Sequence, residues 1–297
     1  GDGGPAACGR MEGMASSENG IIRIGVIGGG QLARMMVPPA IHLGLRISVL
    51  AEVSGSSADR AADAVGDYRD PETVYAFADT VDVVTFDHEH VPQPILRELE
   101  ARGVAVHPRP EALQYAQDKV SMRRKLAELG VPVPVWATVS DEAGLQAFIE
   151  ANGGRAVVKT ARGGYDGKGV RVVSQADEAR DWFTALAEDG RGGHLLAEEL
   201  VDFTRELSQL VARRPSGETR TWPVVETVQE NGVCAEVLAP APVADPATLE
   251  EAARIGRVVA EGVGVTGVLA VEMFETRDGR VLVNELAMRP HNSGHFS

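Results

Sequence analysis

From Ile21 onward the chain alternates short β-branched and aliphatic runs with amphipathic stretches. IIRIGVIG, RISVLA, VDVVTF and VAVHP have the length and composition of strands. Between them lie segments such as DPETVYAFAD, with Asp70 at a capping position and Pro71 at the first helical position. Strands that alternate with helices predict a parallel sheet covered on both faces. QLARMMVPPAIHLG stands where the first helix belongs. Pro38 and Pro39 inside it predict a kink or an early stop, because each removes a backbone donor and crowds the preceding turn.

The pattern changes after Pro110. EALQYAQDKVSMRRKLAELG reads as one long helix ended by Gly130, and VPVPV as an extended linker that cannot be helical. Then come the strand VWATV, a helix from Asp141, the strand AVVKT, a glycine loop, the strand VRVV, a helix from Gln175, and LLAEEL. The last third, RELSQLVARR, TWPVVETVQ, VCAEVLAP, GVLAVEMFE and VLVNELA, reads as mostly antiparallel strands with one helix near residues 246–262. The fold class is α/β plus α+β: an N-terminal parallel-sheet domain over residues 21–115 and a second domain over 116–297, with a lid at about 134–200.

At 297 residues and 44% hydrophobic content the chain has room for two domains with real cores. The 43 acidic against 29 basic residues give a net charge of −14, which argues against non-specific binding to nucleic acid or an anionic membrane and favours a small-molecule ligand. Cys8 and Cys234 make neither a disulfide framework nor a metal cluster, which fits a reducing cytoplasm. GVGVTGVLAV is too short to span a bilayer. Residues 1–20 lack the basic start and apolar centre of a signal peptide and are read as a disordered leader.

Two glycine-rich stretches carry candidate chemistry. GVIGGGQLA holds Gly28, Gly30 and Ala33 in G-x-G-x-x-A spacing after a strand, with Glu52 at the end of the next strand. That satisfies a dinucleotide fingerprint, and equally a tight strand-to-helix turn with no ligand. KTARGGYDGKGV places Lys159 at the end of an apolar strand and a second strand directly afterwards. It is a flap between strands rather than a P-loop, and its backbone N–H groups with Lys159 and Lys168 suit a polyphosphate better than a mobile hairpin with surface lysines.

The segment TRDGRV carries an Asp-Gly turn at Asp278 and Gly279. A two-residue connection, with Arg277 across from Arg280, places Glu272 directly opposite Glu285. Like charges so placed are destabilising unless something neutralises them. Both lie in apolar runs, so a divalent cation held by two carboxylates, phosphate oxygens and water is the natural remedy. Asn284, next to Glu285, should point to the other face of an ideal strand. RPHNSGH follows with Arg289, His291, Asn292, Ser293 and His295, a poor zinc site but a reasonable donor cluster for an anionic substrate. TFDHEHV puts Asp87, His88, Glu89 and His90 at the edge where doubly wound sheets bind ligands.

GGGQLARMM, QDK, VVKTARGGYDGKG, AEELVDFTRE and NELAMRPHNSGH, in this order, resemble the ATP-grasp carboxyaminoimidazole ribonucleotide synthases of purine biosynthesis from about Ile21 to the last residue. The resemblance implies a pre-ATP-grasp domain followed by an ATP-grasp domain, and a cytoplasmic, homodimeric ligase. Its ligands would be ATP, Mg²⁺, bicarbonate and aminoimidazole ribonucleotide. It places Lys119, Lys159 and the flap glycines Gly163, Gly164, Gly167 and Gly169 on ATP phosphates, Glu198, Glu199, Leu200 and Val201 at adenine, and Glu206 at the ribose. Glu272 and Glu285, with Asn284 adjacent, match metal positions. Gly30, Gln31, Leu32 and Glu89 match positions around the ribonucleotide. Tyr165, Asp166, Lys168, Arg289, His291, Asn292 and Ser293 match the bicarbonate and amine end, with Asp166 steering proton movement.

Gln229 stands where the family has a histidine, and the family continues beyond the position of Ser297 with a further C-terminal region. Competing readings are a formate-dependent ribonucleotide transformylase or biotin carboxylase on the same fold, a nucleotide-binding module without turnover, and an NAD enzyme. The last gives no reason for the glutamate pair.

Overall fold

The computed structural model describes residues 20–164, 168–242 and 245–297. Tyr165, Asp166 and Gly167, assigned above to the flap, lie outside the described residues. The chain divides into two compact units, one running to Asp87 and including Pro94–Val106, the other comprising His88–Gln93 and His107–Ser297.

The first unit is built on β1 (Arg23–Ile27), β2 (Arg46–Ala51), β3 (Ala62–Val65), β4 (Val83–Phe86) and the short β5 (Ala105–Val106), all but β3 expected from the apolar runs. They form one sheet in the order β3-β2-β1-β4-β5 with parallel pairing throughout. The order reverses between β1 and β4, so the switch point lies beyond Ile27 and Phe86. Helix α2 (Pro71–Ala78) starts as read, with the Asp70 carboxylate accepting the Thr73 N–H. Helix α1 (Gln31–His42) does not stop early: it runs through Pro38 and Pro39. Both prolines are exposed, so the carbonyls of Arg34 and Met35 that they leave unpaired are free to meet water, while Ala33 and Ala40 bury the opposite face. Helix α3 (Gln93–Ala101) buries Ile95, Leu96 and Leu99 at helical spacing.

In the second unit the long helix expected over residues 111–130 is two helices, α4 (Pro110–Gln117) and α5 (Lys119–Glu128). Asp118 between them is extended, and its carboxylate accepts the Ser121 N–H, capping α5 at 2.9 Å. The pattern of apolar residues continues across the break, which is why periodicity alone missed it. Its effect is to set Lys119 at the head of α5, where its N–H donates to Ala161 O at 2.9 Å.

Strands β6 (Trp136–Val139), β7 (Ala156–Thr160), β8 (Val170–Val173) and β9 (Leu195–Glu198) make an antiparallel sheet in the order β6-β9-β7-β8. Its apolar face packs on α6 (Glu142–Ala151) and α7 (Arg180–Asp189) through Leu145, Phe148, Ile149, Val158 and Leu195. The third sheet takes β10 (Phe203–Arg213), β11 (Thr219–Thr221), β12 (Val225–Glu230), β13 (Val233–Leu238), β14 (Gly267–Thr276) and β15 (Val281–Ala287). Its order is β13-β12-β10-β14-β15, with β11 on β10 and antiparallel pairing. Helix α8 (Pro246–Val263), capped by Asp245 and ended by Gly264 at φ 68°, turns Ile255, Val259 and Val263 inward.

Candidate active site

The β14–β15 hairpin brings Glu272 opposite Glu285, as the sequence required, by a route the sequence did not suggest. The connection is not a two-residue turn. Thr276 N–H donates to Arg280 O and Gly279 N–H to Thr276 O, leaving Arg277–Gly279 as the loop with Gly279 at φ 80°. Pairing therefore starts one position out, with Glu275 across from Val281 and Met273 across from Val283, and a bulge at Asn284 restores the register at the glutamates. The bulge also corrects the expectation for Asn284. Instead of facing away, its Oδ1 accepts from Lys159 Nζ at 3.0 Å.

Lys159, at the end of β7, joins the two sheets. Its Nζ lies 3.1 Å from Glu198 Oε1 and 3.5 Å from Glu285 Oε1. Behind it Arg123 of α5, fully buried, donates to Glu198 Oε2 at 2.7 Å and to the Val283 carbonyl at 3.1 Å. Glu198, assigned to adenine, is thus 3% exposed and held between two cations, Lys159 on Oε1 and Arg123 on Oε2. Its neighbour Glu199 closes the VPVPV linker, accepting the Val135 N–H at 2.9 Å, while Leu200 is exposed and Val201 half-buried. Arg123 and its bridge were not found from the sequence, since the partners are remote in the chain.

A cleft in this unit is lined by Lys119, Gly163, Gly164 and Lys168 from the flap side, Gln229, Gly232 and Cys234 from the β12–β13 hairpin, and Glu272, Glu285, Arg289, His291 and Asn292 beyond. Glu89 and His90 complete it. Lys119 Nζ donates to Gly163 O at 3.3 Å. Gly164 and Gly169, both at φ 76°, let the two arms of the flap cross at its base. A Cβ on Gly169 would lie 2.5 Å from Thr160 Oγ1 and 2.9 Å from Gly164 Cα.

The electrostatics of the cleft are uneven. Loss of hydration, reinforced by the charge of Glu285, pushes the Glu272 carboxyl up to about 8. Burial acts on Glu285 in the same sense, but Lys159, Lys119 and Arg123 outweigh it and hold that carboxyl below the ordinary value. Burial also raises Glu206, which stands on β10, and Glu89. Glu89 accepts the Met288 N–H at 2.6 Å and lies 3.7 Å from Arg289, so it braces the strand end that carries Arg289. His291 is held neutral, its imidazole pushed down to about 3 by burial and by the charge of Arg289.

Ser293 does not reach the cleft. It is fully buried and bonded to His291 and Ser208. Asn292 Oδ1 is buried with no hydrogen-bond partner, an acceptor at the cleft wall that lacks a donor. Among the described residues no cluster of three or more metal-ligating side chains exists. A Mg²⁺ ion nevertheless fits: two opposed carboxylates, one of them pushed up to about 8 by burial and by its partner's charge, would supply the protein share of a shell that nucleotide oxygens and water complete.

In the first unit Gly30, Gln31 and Leu32 lie at the switch point, at the head of α1. There the Asp87 carboxylate, from the end of β4, accepts the Gly30 N–H at 2.7 Å and the Ala33 N–H at 2.8 Å. The Gly-x-Gly-x-x-Ala turn therefore holds an internal anion, and Gly30 is glycine because a Cβ would overlap Asp87 Oδ2. No helix among the described residues is long and apolar enough to cross a membrane.

Comparison with known proteins agrees with this architecture. The family model for the ribonucleotide synthetase preATP-grasp domain matches residues 21–117, and that for the ATP-grasp domain matches residues 124–297. The N5-carboxyaminoimidazole ribonucleotide synthase of Mycobacterium tuberculosis is 47% identical over 276 residues, covering 92% of this chain and 64% of the relative. That of Corynebacterium ammoniagenes is 49% identical over 282 residues, covering 92% and 67%. The Aspergillus clavatus N5-carboxyaminoimidazole synthase solved with ADP and 5-aminoimidazole ribonucleotide superposes with a TM-score of 0.81 at 32% identity, covering 93% of this chain and 72% of that one.

Proposed function

Because the chain belongs to the N5-carboxyaminoimidazole ribonucleotide synthase family of ATP-grasp proteins, we propose that it carries the ATP- and bicarbonate-dependent carboxylation of the amine of 5-aminoimidazole ribonucleotide. The chain spans 64% of the length of its mycobacterial relatives, so the proposal concerns what these residues do. The observation that carries it is the opposed Glu272 and Glu285 pair, bridged by Lys159 to the flap-bearing sheet.

In this reading bicarbonate oxygen attacks the γ-phosphorus of ATP, the bond to the bridging oxygen breaks, and carboxyphosphate and ADP result. The amine then attacks the carboxyl carbon of carboxyphosphate, or CO₂ released from it, phosphate leaves, and the amine loses a proton. Mg²⁺ on Glu272 and Glu285 would supply neutralisation of phosphate charge. Lys159, fixed by Glu198, Asn284 and Glu285, sets one cation beside the transferring group, and Lys119 and Lys168 add two more. The glycine flap covers the phosphates and excludes water, which would otherwise hydrolyse carboxyphosphate.

By family position Glu198, Glu199, Leu200 and Val201 take the adenine and Glu206 the ribose. Arg289 and the His291 imidazole face the anionic carboxyl donor, and Asn292 Oδ1 accepts from the substrate amine. Tyr165 and Asp166 are assigned to the same end by family position, Asp166 for proton movement. Asp87 leaves the first-turn N–H groups of Gln31 and Leu32 without an intrahelical acceptor, which suits them to the ribonucleotide phosphate. A cytoplasmic homodimer completes the proposal.

The test is ADP release by this chain with Mg-ATP and bicarbonate, with and without aminoimidazole ribonucleotide. Release that requires all three, and falls in Asp166→Ala, supports a carboxylating ligase. Nucleotide binding without release would make the chain a binding module, and release that ignores bicarbonate would point to another acyl-phosphate ligase.

A further inference from the structure

Ser293 stands between two groups that the mechanism does not connect. Its backbone N–H donates to His291 Nδ1 at 3.3 Å, and its hydroxyl lies 2.7 Å from the same nitrogen and 2.9 Å from Ser208 Oγ. Ser208, in the middle of β10, and Ser293 are both fully buried, so water does not compete for these bonds. Only one of the contacts has a sense fixed by its chemistry. A backbone N–H is always a donor, so Nδ1 is the acceptor and bears no proton. The proton between Ser293 Oγ and Nδ1 must then be the serine's own. With that proton committed, Ser293 Oγ can meet Ser208 only as acceptor, and Ser208 donates.

We propose that the chain from Ser208 through Ser293 to Nδ1 locks His291 as the neutral Nε2–H tautomer, making both serines positioning residues and giving the cleft a fixed N–H donor. Nε2 lies 3.8 Å from Glu272 Oε1. A protonated Nε2 has no lone pair for a cation, so a divalent ion between Glu272 and Glu285 gains no third protein ligand from this histidine. The imidazole instead offers its proton to Glu272 or to an anion beside it. The service to substrate rests on the ligase reading, whereas the tautomer is a property of the chain alone and is measurable without turnover.

The measurement is a two-bond proton–nitrogen correlation spectrum of the 297-residue chain labelled with ¹⁵N-histidine, with His291 identified among the seven histidines by its loss in His291→Gln. The proposal expects an acceptor-type Nδ1 and a protonated Nε2 at neutral pH, unchanged by Mg²⁺ alone. Ser293→Ala should shift His291 toward an averaged pattern, and Ser208→Ala should shift it less in the same direction. A protonated Nδ1 or an already averaged pattern in the unmutated chain would overturn the lock, as would a metal-bound Nε2 on adding Mg²⁺. A His291 pattern unmoved by Ser293→Ala would remove the serines from it.

Discussion

Two glycine-rich turns follow strands in this chain, and they are put to different uses. At Gly28–Ala33 two N–H groups of the helix N-terminus, those of Gly30 and Ala33, are met from within by the two oxygens of Asp87. At Gly163–Gly169 no carboxylate caps the described backbone; the surrounding charges are lysines, and the opposed glutamates stand across the cleft. Glycine spacing reports where a backbone needs positive φ or close approach, and it does not report what fills the space. At Gly30 the filling group comes from 57 residues away in the chain; at the flap the proposed function assigns the space to a nucleotide.

That contrast is most severely broken behind the flap. Arg123→Met leaves Glu198 buried against Lys159 alone, and should cost about 3–5 kcal/mol in urea unfolding. Gly169→Ala forces a side chain into positive φ, a strain of about 1–2 kcal/mol, with overlap at Thr160 Oγ1 in addition. It should weaken nucleotide affinity in a titration more than it lowers the unfolding midpoint of the whole chain. Asp87→Ala removes two capping bonds from the other turn and should cost about 1–2 kcal/mol in the same unfolding assay, with nucleotide affinity unchanged.

A further effect is expected on the pH profile of stability. Glu272 keeps its proton in the folded chain up to about pH 8, whereas the unfolded chain releases it in the ordinary carboxylate range. The folded state therefore binds the extra proton across that interval, so this group's contribution to stability falls as pH rises and levels off above about 8. Glu272→Gln should flatten that part of the profile, and Mg²⁺ binding with nucleotide should tighten with pH over the same interval.

Most strands, the parallel sheet and the opposition of Glu272 to Glu285 were legible because apolar alternation and an Asp-Gly turn are local signals, whereas the short β3 carries no such run. The details that set the site were not. The loop is one residue longer than the turn suggested, and the bulge at Asn284 compensates for it, so the right pairing arose from two departures that cancel. Asp118 broke a continuous helical pattern by capping in mid-run. Proline at positions 38 and 39 was tolerated because that face of α1 is exposed. Asp87, Arg123 and Ser208 act on partners 54 to 160 residues away, and no periodicity encodes such contacts.

In the proposed function the opposed glutamates hold the cation of a nucleotide. Calorimetric titration of ADP into the chain, with and without Mg²⁺, compared with Glu285→Gln, tests it directly. Mg²⁺ should tighten ADP binding in the unmutated chain, and the substitution should abolish this increment while leaving Mg²⁺-independent binding. An equal Mg²⁺ increment in both proteins would contradict it.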